Sequence, residues 1–94
     1  MSQLTGVNEI SLNEYINIYP NPTTGMIQIE CNIPGGEYEM RMTDVLGQEM
    51  FSEKIHVSGN YSRTMNMYNY SSGVYILSII GENSITQKKI ILNK

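Results

Sequence analysis

From Tyr15 onward, apolar residues recur at every second position of the chain. Clusters of Gly, Pro, Asn, Asp and Ser interrupt them about every 8–12 residues. Successive side chains of a strand point to opposite faces, so this pattern demands strands with one face covered. No stretch carries the period of a helix. Residues 15–19 place Ile16 and Ile18 together. Residues 20–25 (PNPTTG) form a turn, because two prolines fix φ and remove donors while Gly25 admits unusual backbone. Residues 26–31 alternate with Ile27, Ile29 and Cys31 inward. After the breaker Pro34-Gly35-Gly36, Tyr38, Met40 and Met42 alternate cleanly with charged residues. Asp44-Val45-Leu46-Gly47 predicts a hairpin turn. Residues 48–57 form a longer strand whose apolar face changes between Met50 and Phe51, so a bulge is expected there. Residues 61–67 place Tyr61, Met65 and Met67 on one side. Residues 74–80 are nearly all apolar and predict a central strand buried on both faces, with Val74, Ile76, Leu77 and Ile79 as its core. Residues 85–92 form the last strand. Gly25 and Gly47 are expected at positive φ or at close backbone approaches.

Seven short strands of this kind predict an all-β fold, an antiparallel immunoglobulin-like β-sandwich, with a small barrel as the alternative. The chain has 94 residues, the length of one domain, and 40% of them are hydrophobic. Residues 1–14 show no sustained period and read as a linker from something larger upstream, leaving residues 15–94 as the folded domain. That stretch holds no Lys or Arg and no apolar run of a secretory signal.

Scarcity narrows function. The chain has one Cys (Cys31), one His (His56) and one Asp (Asp44). An internal disulfide is impossible, a Ser-His-Asp triad would have to use the only His and Asp present, and zinc would find two soft ligands. An enzyme is therefore the poorly supported reading, and no cofactor or metal is implied. The net charge of −3 argues against nucleic acid. No segment has the ~18 apolar residues of a membrane span, so stable membrane insertion is not expected. Cys31 alternates onto the apolar face and reads as a small buried hydrophobe. His56, between Ile55 and Val57, falls on the wet face. Tyr15, Tyr19, Tyr61, Tyr68, Tyr70 and Tyr75 suit sandwich packing. A stacking platform for sugars is the alternative, which would make this a carbohydrate-binding or adhesion module. Two Asn-Tyr-Ser triplets match the glycosylation pattern, which is too short to carry weight.

Charge is unevenly placed. Residues 1–50 hold seven acids and one base, hence −6, and residues 51–94 hold two acids and five bases, hence +3. Lys88, Lys89 and Lys94 fall within the last seven residues. They protect an edge strand from promiscuous pairing, or they mark a tail that a partner reads.

Four blocks carry a resemblance. They are IYPNPTTG at residues 18–25, TDVLGQ at 43–48, GNY at 59–61 followed by SGVY at 72–75, and KKIILNK at 88–94. In this order and spacing the chain resembles the type A C-terminal sorting domain of the type IX (Por) secretion system of Bacteroidetes, from about Tyr15 to Lys94. Pro20, Asn21, Pro22 and Gly25 match the first motif. Asp44 and Gly47 match the second, Gly73 and Tyr75 the third, and Lys89, Ile90 and Lys94 the last. The chain departs from the family where Tyr68 and Tyr70 stand in place of the usual Ser and Leu.

The resemblance implies a non-catalytic export signal behind a cargo domain in the same chain. Such a cargo crosses the inner membrane with a signal peptide and passes through the periplasm. It leaves through the outer-membrane translocon, to stay on the surface or be secreted, in many cases after a surface sortase removes the domain. Partners would be translocon components and that sortase. The prolines and glycines are expected to shape turns. The final strand, with Lys88 and Lys89 beside Ile90, is the expected recognition element, able to add to another sheet along its free edge.

Overall fold

A computed structural model describes residues 16–94 of the chain; the expected linker and Tyr15 lie outside the described residues. Seven strands follow one another: β1 (Ile16–Tyr19), β2 (Met26–Asn32), β3 (Gly36–Asp44), β4 (Glu49–Val57), β5 (Asn60–Asn66), β6 (Gly73–Ile80) and β7 (Ile85–Leu92). No described residue is helical. All pairings are antiparallel. One sheet runs β1-β2-β5 and the other β4-β3-β6-β7. The two sheets remain separate, so the fold is the sandwich and not the barrel.

The alternation in the sequence places the core. Ile16, Ile27, Ile29, Cys31, Met65 and Met67 face inward from the three-stranded side. Tyr38, Met40, Met42, Ile55, Val57, Tyr75, Leu77, Ile79, Ile90 and Leu92 meet them from the four-stranded side, forming one hydrophobic cluster. The expected bulge is present: the β3–β4 register slips between Met42 and Thr43, leaving Met50 as the extra residue beside Phe51. The expectation for residues 74–80 is corrected. β6 does sit between β3 and β7, but only its core face is buried throughout; on the outer face Ser78 is buried and the apolar residues are half-buried. Tyr75, Leu77 and Ile79 enter the core, whereas Val74 and Ile76 lie on the outer face, half-buried beside Ile91 and Lys89. Among the described residues no second layer covers that outer face, and an apolar run cannot by itself report whether one does.

Seven strands of alternating direction give the sandwich two poles. Connections 20–25, 45–48 and 67–72 fall at one pole, together with Asn93 and Lys94. Connections 33–35, 58–59 and 81–84 fall at the other, where Ile16 enters paired with Cys31. The two open sides are joined differently. On one, Arg63 of β5 reaches Glu53 of β4 at 2.8 Å and lies 5.1 Å over the Phe51 ring. On the other, the 20–25 turn crosses to β7 through a parallel bridge between Thr23 and Leu92.

Candidate recognition surface

The turn at residues 20–25 is held by Thr23. Only 2% exposed, it donates its amide to the Ile91 carbonyl (2.9 Å) and accepts the Asn93 amide on its own carbonyl (2.8 Å). Its hydroxyl donates to the Met26 carbonyl and accepts the Gly25 amide. Two residues earlier, Asn21 uses both ends of its amide. Its Nδ2 donates to the Lys89 carbonyl at 2.8 Å and its Oδ1 accepts the Ile91 amide at 3.0 Å. The turn thus behaves as a short extra strand on the outer edge of β7. Pro20 and Pro22, both exposed and both preceded by cis peptide bonds, flank Asn21 and have no amide hydrogen to satisfy. Gly25 has ordinary φ but no room: a Cβ there would lie under 3.0 Å from ring carbons of Tyr68. The close-approach expectation holds for Gly25, and the positive-φ expectation for Gly47, at 86°.

The second block is a rigid hairpin turn. The Asp44 carboxylate Oδ1 accepts the amides of Leu46 and Gln48, both at 2.9 Å. The Asp44 carbonyl accepts the Gly47 amide, and its own amide donates to the Gln48 carbonyl. Asp44 pairs with Tyr75 across the sheet, and Tyr75 pairs in turn with Ile90. The Tyr75 hydroxyl donates to the Ser71 carbonyl at 2.5 Å, and its ring sits 5.4 Å from that of Tyr70. Gly73 pairs with Leu92. Lys94 closes the pole, its amide donating to Ser72 Oγ (3.1 Å) and its Nζ to the Tyr68 carbonyl (2.9 Å).

Pro20, Asn21, Pro22, Gly25, Asp44, Gly47, Gly73, Tyr75, Ile90 and Lys94 therefore lie at or near a single pole, and Lys88 and Lys89 sit just behind it on β7, whereas Gly59, Asn60 and Tyr61 lie at or towards the opposite pole. The lysines do not act as a pair. Lys89 is exposed on the outer face, whereas Lys88 faces Leu77 and is half-buried at the open side. The edge of β7 is also less free than the sequence suggests, because Asn21 and Thr23 already engage the main chain of Lys89, Ile91 and Asn93. Strand addition from outside is confined to residues 85–88. Sequence reasoning missed Thr23, Tyr68 and Ser72. A threonine in a turn is a weak signal, and a partner for Gly25 or Lys94 has none in a linear pattern.

Burial pushes the Cys31 thiol up to about 11, so it stays protonated at neutral pH. His56 lies exposed with Nδ1 2.6 Å from the Glu37 carboxylate. Among the described residues no group of His, Cys, Asp or Glu could hold a metal ion. Of the tyrosines, Tyr75 is buried, Tyr61 and Tyr70 are half-buried, Tyr68 is exposed, and the Tyr19 hydroxyl is bound to Glu30.

Comparison with known proteins agrees with the sequence motifs. The chain is similar to the ulvan lyase NLR42 of Nonlabens ulvanivorans, 30% identical over 79 residues, which is 83% of this chain and 14% of that enzyme. The chain thus spans about a seventh of the length of the curated relative it matches. Residues 17–93 match the family described as the secretion system C-terminal sorting domain. Nearly the whole sandwich lies inside that match, and the chain belongs to the C-terminal sorting domains of the type IX secretion system, signals for export to the cell surface or beyond it.

Proposed function

We propose that the domain is read in its folded state at the motif-bearing pole by type IX translocon components, while an upstream cargo domain follows through residues 1–14. The cargo crosses the periplasm in transit, and a surface sortase then removes the domain. The observation that carries this reading is the convergence of Pro20, Asn21, Pro22, Gly25, Asp44, Gly47, Gly73, Tyr75, Ile90 and Lys94 on one pole. Recognition needs contact, not catalysis. Lys89 and Lys94 supply positive charge there, and among the described residues neither meets a carboxylate.

The test is a fusion of residues 1–94 behind a signal peptide and a fluorescent reporter in a type IX-competent bacterium. The comparison variants are deletion of Lys94 and Lys88→Glu/Lys89→Glu, each checked by thermal melting. Folded variants retained in the periplasm are expected. Folded variants exported as well as the parent would move the signal elsewhere on the sandwich.

A further inference from the structure

β7 is an edge strand of the four-stranded sheet, and part of its outer edge has no partner among the described residues. Asn21 and Thr23 bind the main chain of Lys89, Ile91 and Asn93 on that edge. The hydrogen-bonding side alternates along a strand, so Gln87 and Ile85 turn their amides and carbonyls the same way. Among the described residues nothing engages them there. Ile85 also presents its side chain on the outer face, 62% exposed. An open edge that ends in an exposed isoleucine invites pairing with another strand.

The chain itself delivers a strand to this place. Thr23 and Leu92 form a parallel bridge, and counting seven residues back along each segment reaches Ile16 and Ile85. The chain therefore enters the described fold beside the start of β7, at the same pole and on the same open side. Fifteen residues precede Ile16. Within them Ile10 and Leu12 alternate with Glu9, Ser11 and Asn13, the pattern of a short strand with one apolar face. From Leu12 to Ile16 the chain reaches up to about 13 Å, and packed sheets lie about 10 Å apart. The 20–25 turn makes the same crossing in two residues, from Tyr19 to Asn21. A segment running towards Ile16 is antiparallel to β7. One register suits both: Leu12 opposite Ile85 and Ile10 opposite Gln87 use the outward main-chain groups, and Glu9 then falls opposite Lys88. Charge agrees with it. Residues 1–15 carry Glu9 and Glu14 and no Lys or Arg, whereas Lys88 and Lys89 meet no carboxylate among the described residues. We infer that residues 9–12 of this chain add to β7 as a short antiparallel strand over residues 85–88, with Glu9 against Lys88. Attachment through residues 13–15 keeps the segment at high effective concentration beside the edge. The inference goes beyond the export reading and does not depend on it. Such a strand closes the last open stretch of β7 to outside strands and ties the upstream chain to the strand that carries the final motif.

Amide hydrogen exchange on the full 94-residue chain tests this. In the parent, the Ile85 and Gln87 amides should exchange at least about tenfold more slowly than in an unstructured peptide. Ile10→Pro/Leu12→Pro should abolish that protection and leave Thr86 and Ile90, which face β6, unchanged. Leu4→Pro, outside the paired residues, should alter nothing. Glu9→Lys should remove part of the protection, and Glu9→Lys/Lys88→Glu should restore it. Unprotected Ile85 and Gln87 amides in the parent would overturn the inference, as would protection that survives the double proline. Equal losses at Thr86 and Ile90 would mean general unfolding of the variant and overturn it too. Glu9→Lys without effect would overturn the register. Protection that falls on dilution, with a dimer in sedimentation, would give the edge to a second copy of the chain instead. Export is not read in any arm, so failure here leaves the proposed function standing.

Discussion

Thr23 and Gly25 set the pole two residues apart by opposite means, one by making four hydrogen bonds and the other by having no side chain. Gly25 was legible as a turn residue but not as the seat of Tyr68, because the approach depends on a residue from another connection. The consequence can be measured. In Gly25→Ala the new methyl displaces the Tyr68 ring, which is half exposed and free to swing outward. The expected cost is about 1 kcal/mol, within the range for a forced side-chain rearrangement. In a Tyr68→Ala background the same substitution should cost almost nothing. Equal costs in both backgrounds, read by urea denaturation, would show that the ring is not what the methyl meets. Cys31 was legible for the contrary reason: its environment is its own strand, and alternation with Ile27 and Ile29 alone places it inward.

At the scale of elements, strand ends agree with the sequence to within about one residue because turn chemistry is local. Which strand lies beside which is not local. That β6 separates β3 from β7 while β5 joins the other sheet follows from pairings across the chain, and alternation is silent about them. The error at β6 has the same source. Eight residues (GVYILSII) look uniformly apolar, yet only one face meets the other sheet. Two substitutions separate these faces. Leu77, 1% exposed, faces the core, and Leu77→Ala should cost about 2–5 kcal/mol. Ile76, next to it and half-buried on the outer face, should cost under about 1.5 kcal/mol as Ile76→Ala. Similar losses from chemical denaturation of both would mean that the outer face is covered after all.

For the molecule as a whole, the four blocks were legible as a set, but the pole that most of their residues share was not. An odd number of antiparallel strands puts entry and exit at opposite poles, and only the pairing of Gly73 with Leu92 and of Asp44 with Tyr75 brings the blocks together. Asn21 binds this arrangement from the side. Asn21→Ala removes two hydrogen bonds to β7, both exposed, and should lower stability by about 1–2 kcal/mol. Hydrogen exchange is the sharper measurement. The Ile91 amide should lose protection in the variant, while the Asn93 amide, held by the Thr23 carbonyl, keeps more of its own. Unchanged protection at Ile91 would refute the clamp.

The bond from Asn21 to Ile91 spans 70 positions of the chain. A motif joined over that distance is absent from an unfolded polypeptide, however intact its letters are. Proteolytic fragments, stalled translation products and kinetically trapped forms all contain the words IYPNPTTG or KKIILNK without assembling the pole. On the proposed reading of this pole, a partner that docks there inspects a finished product: the address label would double as quality control, becoming visible only when the first turn and the last strand have found each other.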